Sequence, residues 1–240
     1  MKLKHFQLAG ILVLFSVFLS SCWFLGPSVR GNGEVTEQTR TVGEFDRINV
    51  SRGMNVYITQ GSPAKVVVIA DSNLHEIIRT EVHGSELKIY ADENIRWAKE
   101  KKVMVTVEKL TGIEASSGAN AYSQGQIMAE NMELTASSGA NQTIEVNSKF
   151  LKATCSSGAN IHLSGVVGEA ELGTSSGANL IGPQLKTDRC KMTASSGGNV
   201  SATVTGTLDA HASSGGNIVY YGEPTSVNVK TSSGGNVHRK

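Results

Sequence analysis

Fourteen serines occur in seven copies of Ser-Ser-Gly-Ala/Gly-Asn, beginning at Ser116, Ser137, Ser156, Ser175, Ser195, Ser213 and Ser232. Hydroxyls in so regular a setting invite a nucleophile assignment, but serine catalysis needs a base held beside the hydroxyl. His162 and His211 stand at different offsets in different repeats, so neither can serve the series. Ser62-Pro63-Ala64-Lys65 matches the S-x-x-K spacing of a serine–lysine pair. It leads straight into Val66-Val67-Val68, a strand pattern, and reads as a turn. The six histidines are scattered, with no C-x-x-C or H-E-x-x-H spacing, so neither a metal centre nor a cofactor is expected. From Thr111 to Lys240 there are two Asp, Asp188 and Asp209, and two Arg, Arg189 and Arg239. That is too few for the charged face of a polysaccharide-active enzyme. The chain therefore reads as non-enzymatic.

The cysteines divide by position. Lys2 and Lys4 precede an apolar run from Phe6 to Leu19, a pattern of export signals and short for a membrane span. Leu19-Ser20-Ser21-Cys22 resembles the bacterial lipobox, which makes Cys22 the expected lipidated first residue of the mature chain. Residues 1–21 are then a lipoprotein signal peptide and residues 22–40 a tether. Several acyl chains on one residue anchor a protein stably, so the membrane is an expected partner and the envelope, at the outer membrane, the expected location. Cys155 and Cys190 fall at different offsets two repeats apart and read as free, small core residues.

The elements that would carry these residues follow from the period. Successive pentads are separated by 21, 19, 19, 20, 18 and 19 residues, which is solenoid spacing. Before each pentad the chain alternates as a strand does. Three residues before the first Ser stand Ile113, Leu134, Ala153, Leu172, Met192, Ala210 and Val229; one before stand Ala115, Ala136, Cys155, Thr174, Ala194, Ala212 and Thr231. These are inward columns. Four before stand Gly112, Glu133, Lys152, Glu171, Lys191, Asp209 and Asn228, an outward column whose central charges alternate in sign. Alternation favours this stacking by a few tenths of a kcal/mol per pair and does not suit one charged polymer.

The expected fold is all-β, a right-handed parallel β-helix of about seven to eight coils, with equivalent residues stacked at roughly 4.8 Å. Gly at the third pentad position and Asn at the fifth are expected to supply left-handed backbone. Asn120, Asn141, Asn160, Asn179, Asn199, Asn217 and Asn236 are expected to form a hydrogen-bonded ladder.

Residues 41–110 read as a β-strand and hairpin subdomain capping the solenoid of residues 111–240. Ser51-Arg52-Gly53-Met54-Asn55 looks like a degenerate eighth pentad in which Arg52 breaks the pattern. Arg96, Lys99, Lys101 and Lys102 read as a solvated loop.

The lipoprotein start, Phe45 to Asn55 with its Gly-Met-Asn, the hairpin through Glu86-Leu87-Lys88-Ile89 and the recurrent Ser-Gly-Ala-Asn resemble the "putative auto-transporter adhesin head-GIN domain" family over residues 41–240. The resemblance implies an all-β fold with a right-handed β-helical part and brings no catalytic residues. A net charge of +1 gives no reason to expect nucleic acid. The functions left are an adhesin that binds a glycan or protein on a surface, and an envelope scaffold with weak end-to-end self-association. Tyr220 with Tyr221, and the threonines Thr135, Thr154 and Thr193, are the candidate contact residues of the repeats.

Overall fold

A computed structural model describes residues 28–240; Cys22 and the expected signal peptide lie outside the described residues. Each pentad closes one corner. The N–H of Ala159 donates to the carbonyl of Ser156 at 3.1 Å, and between them Ser157 and Gly158 have φ of +52° and +69°. Two central residues at positive φ define a type I′ turn. The left-handed pair is thus the second Ser and the Gly, not the Gly and the Asn. Asn lies outside the turn's two central positions and opens the next strand instead. The turns bond to one another, since the N–H of Gly158 donates to the carbonyl of Ser176 on the neighbouring coil. Arg52, at φ +53°, adopts the same conformation as the second serines, so Ser51–Asn55 is an eighth corner despite its sequence.

The chain enters through β1 (Ser28–Arg30) and β2 (Val35–Arg40), and β3 (Arg47–Val50) and β4 (Asn55–Gln60) then flank the Ser51 corner. β5 (Lys65–Asp71), a 3-10 turn, β6 (Ile78–His83), β7 (Glu86–Ala91), β8 (Asn94–Trp97) and β9 (Lys101–Val107) follow before β10 (Gly112–Ala115) resumes the stack. β11 (Asn120–Ala136), β12 (Asn141–Cys155), β13 (Asn160–Thr174), β14 (Asn179–Ala194) and β15 (Asn199–Ala212) each run most of a coil. β16 (Asn217–Tyr221), β17 (Ser226–Thr231) and β18 (Asn236–Arg239) complete a β-solenoid of about seven turns. Pairing within the stack is parallel and stays in register on the segments that lead into each corner, with register shifts after the corners: Glu133 lies beside Lys152, Lys152 beside Glu171, Glu171 beside Lys191 and Lys191 beside Asp209.

The N-terminal end is closed differently. β7 and β9 add one more parallel layer beneath β3 and β4. Antiparallel strands then finish both walls, β6 on β7, and β5 on β9 with β2 outside it. Residues 28–40, expected as part of a tether, are therefore strands: β2 lies on β5, and β1 pairs with β8. Backbone pairing holds β2 in place, because its side chains are almost all exposed and carry no hydrophobic signal. Lys101 and Lys102 likewise begin β9 rather than lie in a loop.

The core is a stack of small and branched side chains, with Ile113, Leu134, Ala153, Leu172, Met192 and Ala210 buried in one column. In the last coil the inward-column residues Val227 and Val229 are 42% and 44% exposed.

Candidate ligand-binding groove

The residues with nucleophilic or ligating chemistry are dispersed by the fold. The second serines, such as Ser157, lie exposed along one corner, while His162 faces outward on the strands that follow that corner. His211 lies on the strands that precede it, with its Nε2 2.9 Å from Asp209. Gly173-Thr174-Ser175-Ser176-Gly177 has the spacing of a nucleophile elbow, yet it joins a strand to a strand, whereas the elbow needs a strand-to-helix turn. Ser62 donates to Glu108 at 2.6 Å rather than to Lys65. No group of three or more His, Cys, Asp or Glu residues among the described residues could hold a metal ion. Cys155 and Cys190 are free and buried, and burial pushes their thiols up to about 11 and about 12.

The Asn column is chained by its amides. Asn120 donates to Asn55, Asn141 to Asn120, Asn160 to Asn141, Asn179 to Asn160 and Asn199 to Asn179, at 2.8 to 3.0 Å. Asn236 donates to Asn217 at 3.1 Å. The column is half-buried rather than buried, and Asn199 and Asn236 are exposed. It bonds to itself from Asn55 to Asn199 and again from Asn217 to Asn236, with no amide bond between Asn199 and Asn217, so most of its polar groups are used within the stack.

The earlier contact candidates are also occupied. Tyr220 packs against the core. The hydroxyls of Thr135 and Thr154 lie 3.3 Å apart, and Gly173 interrupts the column before Thr193.

A groove that sequence patterning did not single out lies on the outer wall, where two adjoining depressions of about 450 Å³ and 190 Å³ share Thr111 and Asn131. Phe150 lines the larger one at 47% exposure, and Met128 lines the smaller at 54%. Phe150 sits among Asn131, Glu169 and Arg189 on neighbouring coils, where an aromatic has no partner to bury it. Charges frame the ring. Arg47 passes over Gly112, which has no side chain to block it, and bonds Glu133 at 3.0 Å. Glu169 is paired with Arg189 and Glu171 with Lys191. Lys152 and Lys109 are the groove's charges that have no ion-pair partner among the described residues. The only sequence signal was negative: Phe150 stands in a column that is otherwise polar from Asn131 through Glu169, Arg189 and Thr207 to Ser226.

These features define a β-solenoid capped by antiparallel strands at one end, with repeated corners and an open, partly aromatic lateral groove. A family model described as "Putative auto-transporter adhesin, head GIN domain" matches residues 44–224, and the chain belongs to that family. Crystal structures of the same fold include a putative adhesin from Bacteroides fragilis, 19% identical, with a TM-score of 0.82 over 88% of this chain and 100% of that one. A putative lipid binding protein from Parabacteroides distasonis is 18% identical, with a TM-score of 0.72 over 89% of this chain and 100% of its own. A putative adhesin from Parabacteroides merdae is 20% identical, with a TM-score of 0.70 over 90% and 100%. No curated protein matches the chain.

Proposed function

We propose that the protein is a non-enzymatic, surface-binding module, tethered to the envelope through lipid on Cys22, that holds a saccharide in the groove beside Phe150. The observation that carries this reading is a half-exposed aromatic ring on a rigid wall, bordered by Lys152, Asn131 and fixed carboxylates. An aromatic face against a sugar ring, with polar groups converging on its hydroxyls, is a small-ligand site in open form. The adhesin family and the structural relatives named as putative adhesins support surface binding in general. One relative is named as a putative lipid binding protein, but the charged lining here suits a polar ligand better than an acyl chain.

The test is a glycan array probed with the 28–240 chain and its Phe150→Ala variant. Binding to a defined saccharide should fall at least about tenfold on loss of the ring, since burying a side chain of this size is worth about 1.5–3 kcal/mol. Equal binding by both proteins would remove the groove from consideration. Labelling of whole cells with a palmitate analogue should mark the wild-type chain and leave Cys22→Ser unmarked. A second reading, an envelope scaffold, draws on the exposed Val227 and Val229 of the last coil.

A further inference from the structure

The first corner differs from the seven that follow. Its second residue is Arg52 where the others have Ser, and the corner faces β8 instead of another Ser-Ser-Gly turn on that side. Between them lies a pocket of about 500 Å³ lined by Arg52, Gly53, Asn94, Lys101 and Ser117 and also by the acidic residues Asp92 and Glu93. Nη1 of Arg52 donates to the carbonyls of Ala91 and Asp92, and the guanidinium carbon sits 5.5 Å from the Tyr90 ring centroid. That fixes the head group while Nη2 and Nε have no protein partner among the described residues. Lys101 reaches the same space from β9, with its Nζ under Gly53, where an added Cβ would stand 3.3 Å away. Its ammonium is half-buried and meets no acceptor or carboxylate among the described residues, and burial alone holds its pKa below the ordinary lysine value. Of the two carboxylates in the lining, that of Asp92 is already bonded to Arg79, and that of Glu93 bonds neither Lys101 nor Arg52.

A desolvated ammonium without a partner is costly, and a second fixed cation beside it makes the cost a preference for an anion. We propose that this pocket binds a compact oxyanion, a carboxylate, phosphate or sulfate group, between Lys101 and Arg52. Asn94 and Ser117 supply neutral donors from its lining. The site is separate from the Phe150 groove and stands whether or not that groove binds sugar.

The experiment is calorimetric titration and thermal denaturation of the 28–240 chain with sodium phosphate, sodium sulfate and sodium acetate, at constant ionic strength against sodium chloride. Saturable binding of at least one anion is expected, and which of the three binds assigns the group as phosphoryl, sulfuryl or carboxylate. Arg52→Ser, which installs the residue of the other seven corners, and Lys101→Met should each weaken that binding by at least about tenfold. Without the anion, Lys101→Met should melt at or above the wild-type temperature, because it removes an unpartnered buried charge. Phe150→Ala should leave the titration unchanged. No saturable binding beyond chloride, equal binding by both variants, or a lower melting temperature for Lys101→Met without anion would each overturn the proposal.

Discussion

Asn160 donates to Asn141 and accepts from Asn179, so removing its amide leaves one donor and one acceptor without a partner in the middle of the stack. Half-burial lets water recover part of the loss. Asn160→Ala should therefore cost about 1 kcal/mol, the low end of the range for a stranded polar group, and Asn236→Ala close to nothing. Chemical denaturation of the two variants checks the gradient; equal losses would mean that the chain of amides is not what stabilises the coils. The two thiols give a second residue-scale prediction. With pKa values of about 11 and about 12 and no access to solvent, Cys155 and Cys190 should resist alkylation in the native chain at pH 8 and both react in denaturant. A thiol reacting before unfolding would show that its coil opens locally. Inward and outward positions were legible in the sequence because stacking makes every coil repeat one code. Gln142 was not. It occupies an inward column, buried, donating to the carbonyl of Thr135 at 2.7 Å while its Oε1 has no partner. A single coil that departs from its column gives alternation nothing to repeat.

At the scale of elements, the outer strands of the cap are tied in by a side chain as well as by the buried apolar stripes of β5, β7 and β9. The buried carboxylate of Asp71, at the end of β5, accepts from the N–H groups of Gly33, Lys99 and Glu100, tying together the β1–β2 link, β5 and the approach to β9. Burial pushes this carboxyl up, but the hydrogen bonds from Gly33, Glu100 and Lys99, with the Lys99 charge, outweigh it and hold the pKa below the ordinary value. A depressed folded value contributes stability that is fully present above the unfolded pKa of about 3.9 and lost as pH falls through the folded one. Asp71→Asn should cost about 2–4 kcal/mol at pH 7 and flatten the acid limb of the stability profile below about pH 4. Urea denaturation from pH 7 down to pH 2 reads both, and an acid limb as steep as the wild type's would assign the loss to other carboxylates. β3, β4, β5, β7 and β9 were legible from their alternating apolar residues. β1, β2 and β8 were not, since they are placed largely by backbone pairing and by Asp71, and β1 and β8 each send only one apolar side chain, Val29 and Ile95, against the core.

For the whole molecule the two ends are unequal. Antiparallel β2 and β6 finish the walls at one end, where the next strand would otherwise find an open ladder. At the other end β17 pairs with β15 and β18 with β16, each with no described strand on its far side, and Val227 and Val229 stand half-exposed beside those unpaired edges. A parallel edge of this kind accepts another strand, and a twofold contact between two such ends would close on itself because it uses the same end of both copies. The area is that of one coil, so the association should be weak. The 28–240 chain should therefore show a concentration-dependent shift from monomer towards dimer, without larger species, in sedimentation equilibrium. Val229→Lys should abolish the shift by placing a charge in the apolar contact, whereas Val229→Thr, which keeps shape and β-propensity, should only weaken it. A strictly monomeric wild type at high concentration would remove self-association from the functions open to the fold. Species larger than a dimer would mean that the cap does not seal its end, and that the solenoid is built to extend rather than to present one free groove.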